Sequence, residues 1–263
     1  MINAAVLGAC GRMGSLIVEN ITSHPDMQLV AAFDICNFGR DAGEFAHVGN
    51  LGVPISDVKD LEAVLKESKA DVLIDFTAAG ATAVNAPIAA RTGVNLVIGT
   101  TGLTQEQRAI VDDAIQKAQV SAVISPNYSV GVNVFFKIIR EAAKYLADYD
   151  IEIIEAHHNQ KKDAPSGTAL RAADVISEAL GGKEYIYGRE GIAPRGKEIG
   201  IHGVRAGDIT GDHTVLFAGN SERIEIRHMA HSRQIFAKGA VRAAEWVCKQ
   251  KPGIYSMDDV LGL

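Results

Sequence analysis

The sequence predicts an α/β chain whose first half is a doubly wound parallel sheet and whose second half adds an α+β region with a mixed sheet. Three observations lead there. Short, near-continuous apolar runs alternate with longer helical patterns as far as Ile124, as expected of parallel strands buried on both faces by crossover helices. Beyond Pro126 the strand candidates crowd together without room for such crossovers, which favours antiparallel or mixed pairing. The chain of 263 residues, 47% of them hydrophobic, is large enough for one large or two modest domains without disulfides or structural metal.

In chain order, Ala4 to Leu7 is the first strand candidate. A glycine-rich turn and a helical pattern through Leu16, Ile17 and Ile21 follow. Leu29 to Phe33, Val72 to Phe76, Leu96 to Ile98 and Val120 to Ile124 are the next strands, and Thr82 to Thr92 is a helix between two of them. Thr104 followed by Gln107 is a capping box that opens another helix. After Pro126 the pattern gives a helix over Val132 to Leu146, an apolar strand from Ile151 to Ile154, and a helix from Ser166 to Leu180. A glycine-rich loop region, Gly181 to Gly200, leads to three closely spaced strands: Ile201 to Arg205, His213 to Phe217, and Arg223 to Arg227. The last long helix is Ile235 to Cys248.

The net charge of −6 argues against nucleic acid, because phosphate binding needs a basic surface. Cys10, Cys36 and Cys248 form no CxxC pair and read as reduced thiols. No apolar run is long enough to span a bilayer, and the N-terminus lacks the basic region of a signal peptide. A cytoplasmic protein with no membrane partner is expected.

Gly8-Ala9-Cys10-Gly11-Arg12-Met13-Gly14 stands between the first strand and the first helix. Glycines there let backbone amides approach a pyrophosphate at a helix N-terminus, although strand-to-helix glycines are often purely structural. Asp34 ends the second strand, 20 residues past Gly14, where a carboxylate accepts hydrogen bonds from ribose hydroxyls. The pair marks a Rossmann-type dinucleotide site. Asp34 repels a 2′-phosphate and is followed by the neutral Ile35, so the cofactor reading leans to NADH with NADPH tolerated. Arg40 and Arg12 are the nearby cations that could offset this. Gly99-Thr100-Thr101-Gly102, at the end of another strand, suits the same crevice.

The chemistry concentrates in Glu155-Ala156-His157-His158-Asn159-Gln160-Lys161-Lys162-Asp163-Ala164-Pro165-Ser166-Gly167-Thr168. Two histidines and two lysines within six residues make a local cationic site in an acidic protein. Ser166-Gly167-Thr168 open a helix, whose dipole favours a bound anion such as a carboxylate. A histidine near neutral pKa can give or take a proton. No metal site is expected: adjacent histidines on an extended chain point apart, and no His-x-x-x-His spacing occurs.

These motifs, with Asp75-Phe76-Thr77, Asn127 to Asn133, Val204 to Ile209 and Asp258 to Leu261, resemble the dihydrodipicolinate (4-hydroxy-tetrahydrodipicolinate) reductase family over essentially the whole chain. The resemblance implies NADH- or NADPH-dependent reduction of the cyclic dicarboxylate 4-hydroxy-tetrahydrodipicolinate with loss of water, a step in diaminopimelate and lysine biosynthesis. It implies His157 as proton donor and acceptor and Lys161 as a second proton donor, with His158, Lys161, Ser166, Gly167 and Thr168 holding the substrate. On the cofactor side it implies Gly8, Ala9, Cys10, Gly11, Arg12, Met13, Asp34, Gly99, Thr100, Thr101, Ser125, Pro126, Asn127 and Tyr128. Residues 1–128 and 239–263 would form the dinucleotide-binding domain and 129–238 the substrate-binding and oligomerisation domain of a homotetramer. Family members often carry Glu at the position of Asp34 and Arg at that of Ile35.

Overall fold

Each apolar run of the first half becomes a strand of one parallel sheet. The computed structural model describes all 263 residues, which form two units: Met1–Val130 with Gln234–Leu263, and Gly131–Arg233. In chain order the elements are β1 (Ile2–Leu7), α1 (Arg12–Thr22), β2 (Met27–Asp34), α2 (Ala42–Ala46), β3 (Ile55–Asp57), α3 (Leu61–Ser68), β4 (Val72–Asp75), α4 (Ala79–Arg91), β5 (Asn95–Ile98), α5 (Gln105–Ala118) and β6 (Ser121–Ile124). Next come α6 (Val130–Tyr145), β7 (Asp150–His157), α7 (Gly167–Ala179), β8 (Tyr185–Tyr187), β9 (Ile199–Arg205), β10 (Gly211–Ala218) and β11 (Arg223–Ala230). The chain then returns through α8 (Gln234–Val247), β12 (Gly253–Tyr255) and α9 (Met257–Leu261).

In the first unit the strand order is β12-β6-β5-β4-β1-β2-β3, with every pair parallel. Chain order reverses between β1 and β4, which makes the ends of these two strands the switch point where doubly wound folds bind ligands. Alternate residues serve opposite faces. Ala4, Val6, Ile74, Val97 and Val123 pack with buried residues of α1 and α8. Ala5, Leu7, Phe33, Leu73, Leu96 and Ile98 pack with those of α3, α4 and α5. The predicted capping box is present: Thr104 Oγ1 accepts from Gln107 N at 3.2 Å, and Thr104 N donates to Gln107 Oε1 at 2.9 Å.

The second unit is built on a five-stranded sheet of order β11-β10-β7-β9-β8. Its pairing is mixed: β11, β10 and β7 run antiparallel, whereas β7, β9 and β8 run parallel. Ile151, Ile153, Val215, Phe217, Ile199 and Ile201 face α6 and α7, whose Phe135, Ile139, Ala172 and Ile176 complete that core. Ile154, Val204 and Met229 alternate onto the other face and remain exposed.

Several details differ from expectation: the strand expected over Ile151 to Ile154 runs from Asp150 to His157, and the helix expected from Thr82 begins at Ala79. The glycine-rich region Gly181 to Gly200 contains β8, and its last two residues belong to β9. The division between units falls at Val130 and Gln234 instead of at 128 and 238. The reason for the boundary at Gln234 is local: Gln234 exchanges hydrogen bonds with Asn20 at 2.6 Å and Glu19 at 2.7 Å on α1, which ties the first turn of α8 to the first unit. No helix is long and apolar enough to cross a membrane.

Candidate active site

In the second unit, β7 delivers Glu155 and His157 to the helix-covered face of the sheet, because residues two apart share a face. Glu155 is fully buried. It stands opposite Gly203 on β9 and His213 on β10. A Cβ at Gly203 would lie 3.2 Å from Glu155 Oε1, so the glycine leaves room for the carboxylate.

The carboxylate of Glu155 is saturated with donors. Arg205 grips it with two prongs, Nη1 to Oε2 and Nη2 to Oε1, each at 2.8 Å. Ser166 N donates to Oε1 at 3.0 Å, and His157 Nδ1 lies 2.6 Å from Oε2. Burial pushes the Glu155 pKa up, but Arg205, His157 and Ser166 outweigh it and hold the carboxyl below its usual range. Burial draws the His157 pKa down, aided by the Lys161 and Arg205 charges and opposed by Glu155, with a net lowering. The ring is therefore mostly neutral at neutral pH.

The loop after β7 turns back on itself, Lys161 N donating to His158 O at 3.1 Å. Lys161 Nζ pairs with Asp163 at 3.0 Å. Arg205 Nη2 also donates to the Asp163 carbonyl at 2.5 Å, which fixes this loop to the same guanidinium that holds Glu155. A cis bond joins Ala164 to Pro165. Ser166 then caps α7, its Oγ accepting from Ala169 N at 3.2 Å. Gly167 and Thr168 occupy the first two helical positions, at the positive end of the helix dipole. Buried His213 packs edge-on to His157, with ring centroids 5.2 Å apart, and its Nε2 lies 3.1 Å from Ser166 Oγ. Burial, then the His157 charge, pushes His213 down to about 3, so it stays neutral.

His157, Lys161, Ser166, Gly167 and Thr168 thus belong to one segment that turns from the end of β7 into α7. His158 is the first residue past the end of β7 and is half-buried. Sequence reasoning assigned no role to Glu155, Arg205 or His213. The signal for the first two was register: Glu155 is a charged residue at an inward position of an apolar strand, a placement that requires a partner.

In the first unit the glycine loop closes tightly. A Cβ at Gly14 would stand 2.0 Å from the Gly8 carbonyl oxygen, so only glycine lets α1 pack this closely on the turn. The N-cap of α1 is Gly11, with no side-chain cap, which leaves its first amides to a ligand. Asp34 Oδ2 accepts from Cys10 N at 2.9 Å and Oδ1 from Ile35 N at 2.7 Å, so the carboxylate is anchored to the loop it is expected to serve. Both the cradle and the anchored carboxylate fit a dinucleotide. Arg40 is held elsewhere, by Glu44 at 2.8 Å and over the Phe45 ring at 4.6 Å.

The remaining cofactor candidates line the ends of β4, β5 and β6. Thr100 turns its hydroxyl towards buried Asp75, at 3.3 Å, beside Thr77 and Thr82, which donate to the same carboxylate at 2.6 and 2.7 Å. Gly99 lies under the Phe76 ring, which a Cβ would strike at 2.2 Å. Tyr128 is buried, its hydroxyl 2.9 Å from the Ile98 and 2.8 Å from the Val123 carbonyl, so its side chain serves the core. Ser125 Oγ donates to the Asn127 carbonyl at 3.0 Å, while Pro126 and Thr101 are exposed.

Comparison with known proteins follows this division. Residues 2–128 match the family model described as dihydrodipicolinate reductase, N-terminus, and residues 131–261 match dihydrodipicolinate reductase, C-terminus. The chain is 89% identical to a 4-hydroxy-tetrahydrodipicolinate reductase of Methanosarcina barkeri, over the full length of both. It is 54% identical to one from Methanocaldococcus jannaschii, covering 100% of this chain and 98% of that one. A dipicolinate-bound dihydrodipicolinate reductase of a Paenisporosarcina species superposes with a TM-score of 0.80 at 29% identity, covering 97% of each chain. Fold and sequence likeness thus coincide along the whole length, and the chain belongs to the dihydrodipicolinate reductase family.

Proposed function

We propose that this chain reduces 4-hydroxy-tetrahydrodipicolinate to tetrahydrodipicolinate in diaminopimelate and lysine biosynthesis. The observation that carries this reading is the His157–Glu155–Arg205 cluster beside Lys161 at the N-terminus of α7, in a chain of this family. When bound, the nicotinamide dinucleotide supplies a hydride to ring carbon 4 of the substrate. The hydroxyl leaves that carbon as water and takes one proton, which His157 or Lys161 donates. Ser166, Gly167 and Thr168, with Lys161 and His158, hold the substrate carboxylates through amides, the helix dipole and positive charge. Gly8 to Met13 and Asp34 hold the dinucleotide, with Gly99 to Thr101 and Ser125 to Tyr128 contributing largely through backbone.

NADH is the preferred cofactor, with NADPH tolerated. The residue after Asp34 is the neutral Ile35, and Arg40, one of the two nearby cations, is paired with Glu44. The protein works in the cytoplasm as a homotetramer. Support for the assembly comes from the sheet face bearing Ile154, Val204 and Met229, which are 41%, 43% and 51% exposed in the single chain.

The test is oxidation of NADH and NADPH, in separate runs, with substrate generated from pyruvate and aspartate semialdehyde by a synthase. Substrate-dependent oxidation is expected, with the lower Michaelis constant for NADH. Constants favouring NADPH by an order of magnitude would reverse the cofactor reading. His157→Gln should lose roughly 10²–10⁴-fold in turnover, as removal of one general acid does, while keeping dinucleotide affinity. A protein that merely senses the nicotinamide ratio would be indifferent to that change.

A further inference from the structure

We infer that Glu155, gripped by Arg205, is a positioning residue that keeps a proton on His157 Nδ1 and so makes Nε2 the atom that exchanges protons with the substrate. The inference rests on the reading of His157 as proton donor and adds to it which nitrogen works and what selects it.

The argument begins with the carboxylate. A buried Glu without donors would take up a proton. Glu155, fully buried, instead receives two bonds from Arg205 and one from Ser166 N. It therefore stays ionised, and an ionised carboxylate only accepts hydrogen bonds. The 2.6 Å contact with His157 Nδ1 then requires a proton on Nδ1 whether the ring is neutral or charged. In the neutral ring the lone pair falls on Nε2.

The surroundings of Nε2 agree with this assignment. Residue 211 on β10 is glycine, and a Cβ there would stand 3.0 Å from Nε2, so the glycine leaves that nitrogen room. The charged and titratable groups around the ring come from every neighbouring element. They are Glu155 on its own strand, Arg205 on β9, His213 on β10, and Lys161 and Asp163 on the following loop. Arg205 also bonds the Asp163 carbonyl, and Asp163 in turn pairs with Lys161. One guanidinium thus sets the places of both proposed proton donors.

The pH consequence has a definite sign. Glu155 opposes the burial that draws the His157 pKa down. Its removal lowers that pKa further, and a proton donor then loses its proton at lower pH. The alkaline limb of turnover should move towards acid.

Glu155→Gln, Glu155→Asp and His157→Gln are to be compared with the unaltered enzyme in the coupled assay. Nitrogen NMR of labelled histidine should accompany the kinetics. In the unaltered enzyme His157 should show the Nδ1–H tautomer. Glu155→Gln should lose roughly 10²-fold in kcat, by the logic of a histidine left in the wrong tautomer. Its substrate KM should stay within about threefold, with the alkaline limb displaced to lower pH. Glu155→Asp should recover part of the turnover. An Nε2–H ring in the unaltered enzyme overturns the inference. So does a Glu155→Gln enzyme with unchanged kcat and pH limb. Should Glu155→Gln fail to fold, the tautomer of the unaltered enzyme and the kinetics of Glu155→Asp decide alone. Full turnover in His157→Gln would instead remove the reading beneath the inference, and the inference with it.

Discussion

The seven-stranded sheet carries helices on both faces, whereas α6 and α7, the helices of the second unit, both pack on one face of the five-stranded sheet. The first sheet spends its strand residues on two apolar cores and keeps its polar chemistry at the strand ends, in Gly8 to Gly14, Asp34, Asp75 and Gly99 to Thr101. The second sheet places Glu155, His157 and His213 inside the covered face, in line with Ile151, Ile153, Val215 and Phe217. A sheet with one bare face loses apolar burial but leaves a surface open for the proposed assembly. A polar cluster within the covered face gains fixed geometry from its hydrogen bonds but is penalised for each buried polar atom left without one, here Arg205 Nε and His213 Nδ1.

Three measurements sharpen or break that contrast. The largest effect is expected at Ile74, fully buried at the centre of the first sheet. Ile74→Ala should cost about 2–5 kcal/mol through lost transfer energy and a residual cavity, read as a lower denaturant midpoint at fixed protein concentration. A loss below about 1 kcal/mol would mean that the doubly covered core relaxes around the gap.

Acid should come next, and it should weaken the second unit. His213 is held down to about 3, against about 6.5 when unfolded, so between those values the unfolded chain binds a proton that the folded one does not. Stability therefore falls as pH drops through this window, by up to about 1.4 kcal/mol per unit. His157 and His228 shift in the same direction. Asp75 of the first sheet shifts upward because of burial, so acid favours its folded state. His213 should contribute about 2 kcal/mol to the difference in unfolding free energy between pH 7 and pH 5, read from urea titrations, and His213→Gln should show a smaller difference. An equal difference in the two proteins would refute the assignment to His213.

The smallest effect on subunit stability is expected at Ile154 on the bare face. Ile154→Ser should change unfolding of the isolated subunit by no more than about 0.5 kcal/mol. It should nevertheless shift the assembly to smaller species in sedimentation. An unaltered oligomer would exclude this face from the proposed tetramer contact.

The contrast also explains what could be read before the fold was known. Strands buried on both sides are continuous apolar runs, so β1, β2, β4, β5 and β6 were each legible to within two residues. The closely spaced β9, β10 and β11 announced a mixed sheet. Elements of three residues, β3, β8 and β12, carry too little pattern to stand out from loops. In the site, the segment from His157 to Thr168 was legible because its members lie together in sequence. Arg205 bonds Glu155 from 50 residues away, and His213 reaches the cluster only through strand register, which composition and spacing do not encode. Tyr128 had been expected on the cofactor side, but its side chain lies in the core, since two carbonyls hold its hydroxyl there.

The return of the chain at Gln234 has a consequence during synthesis. α8 supplies Ala240, Val241, Ala244 and Val247 to the face formed by Val6, Ile74, Val97 and Val123, and β12 covers the β6 edge. Until that last segment leaves the ribosome, β4, β5 and β6 lack their α8 cover on one apolar face, and β6 has an unpaired edge. Strands made in the first half of synthesis thus wait for the last residues to be covered, and a nascent chain stopped short of Gln234 exposes apolar sheet of the kind that chaperones hold.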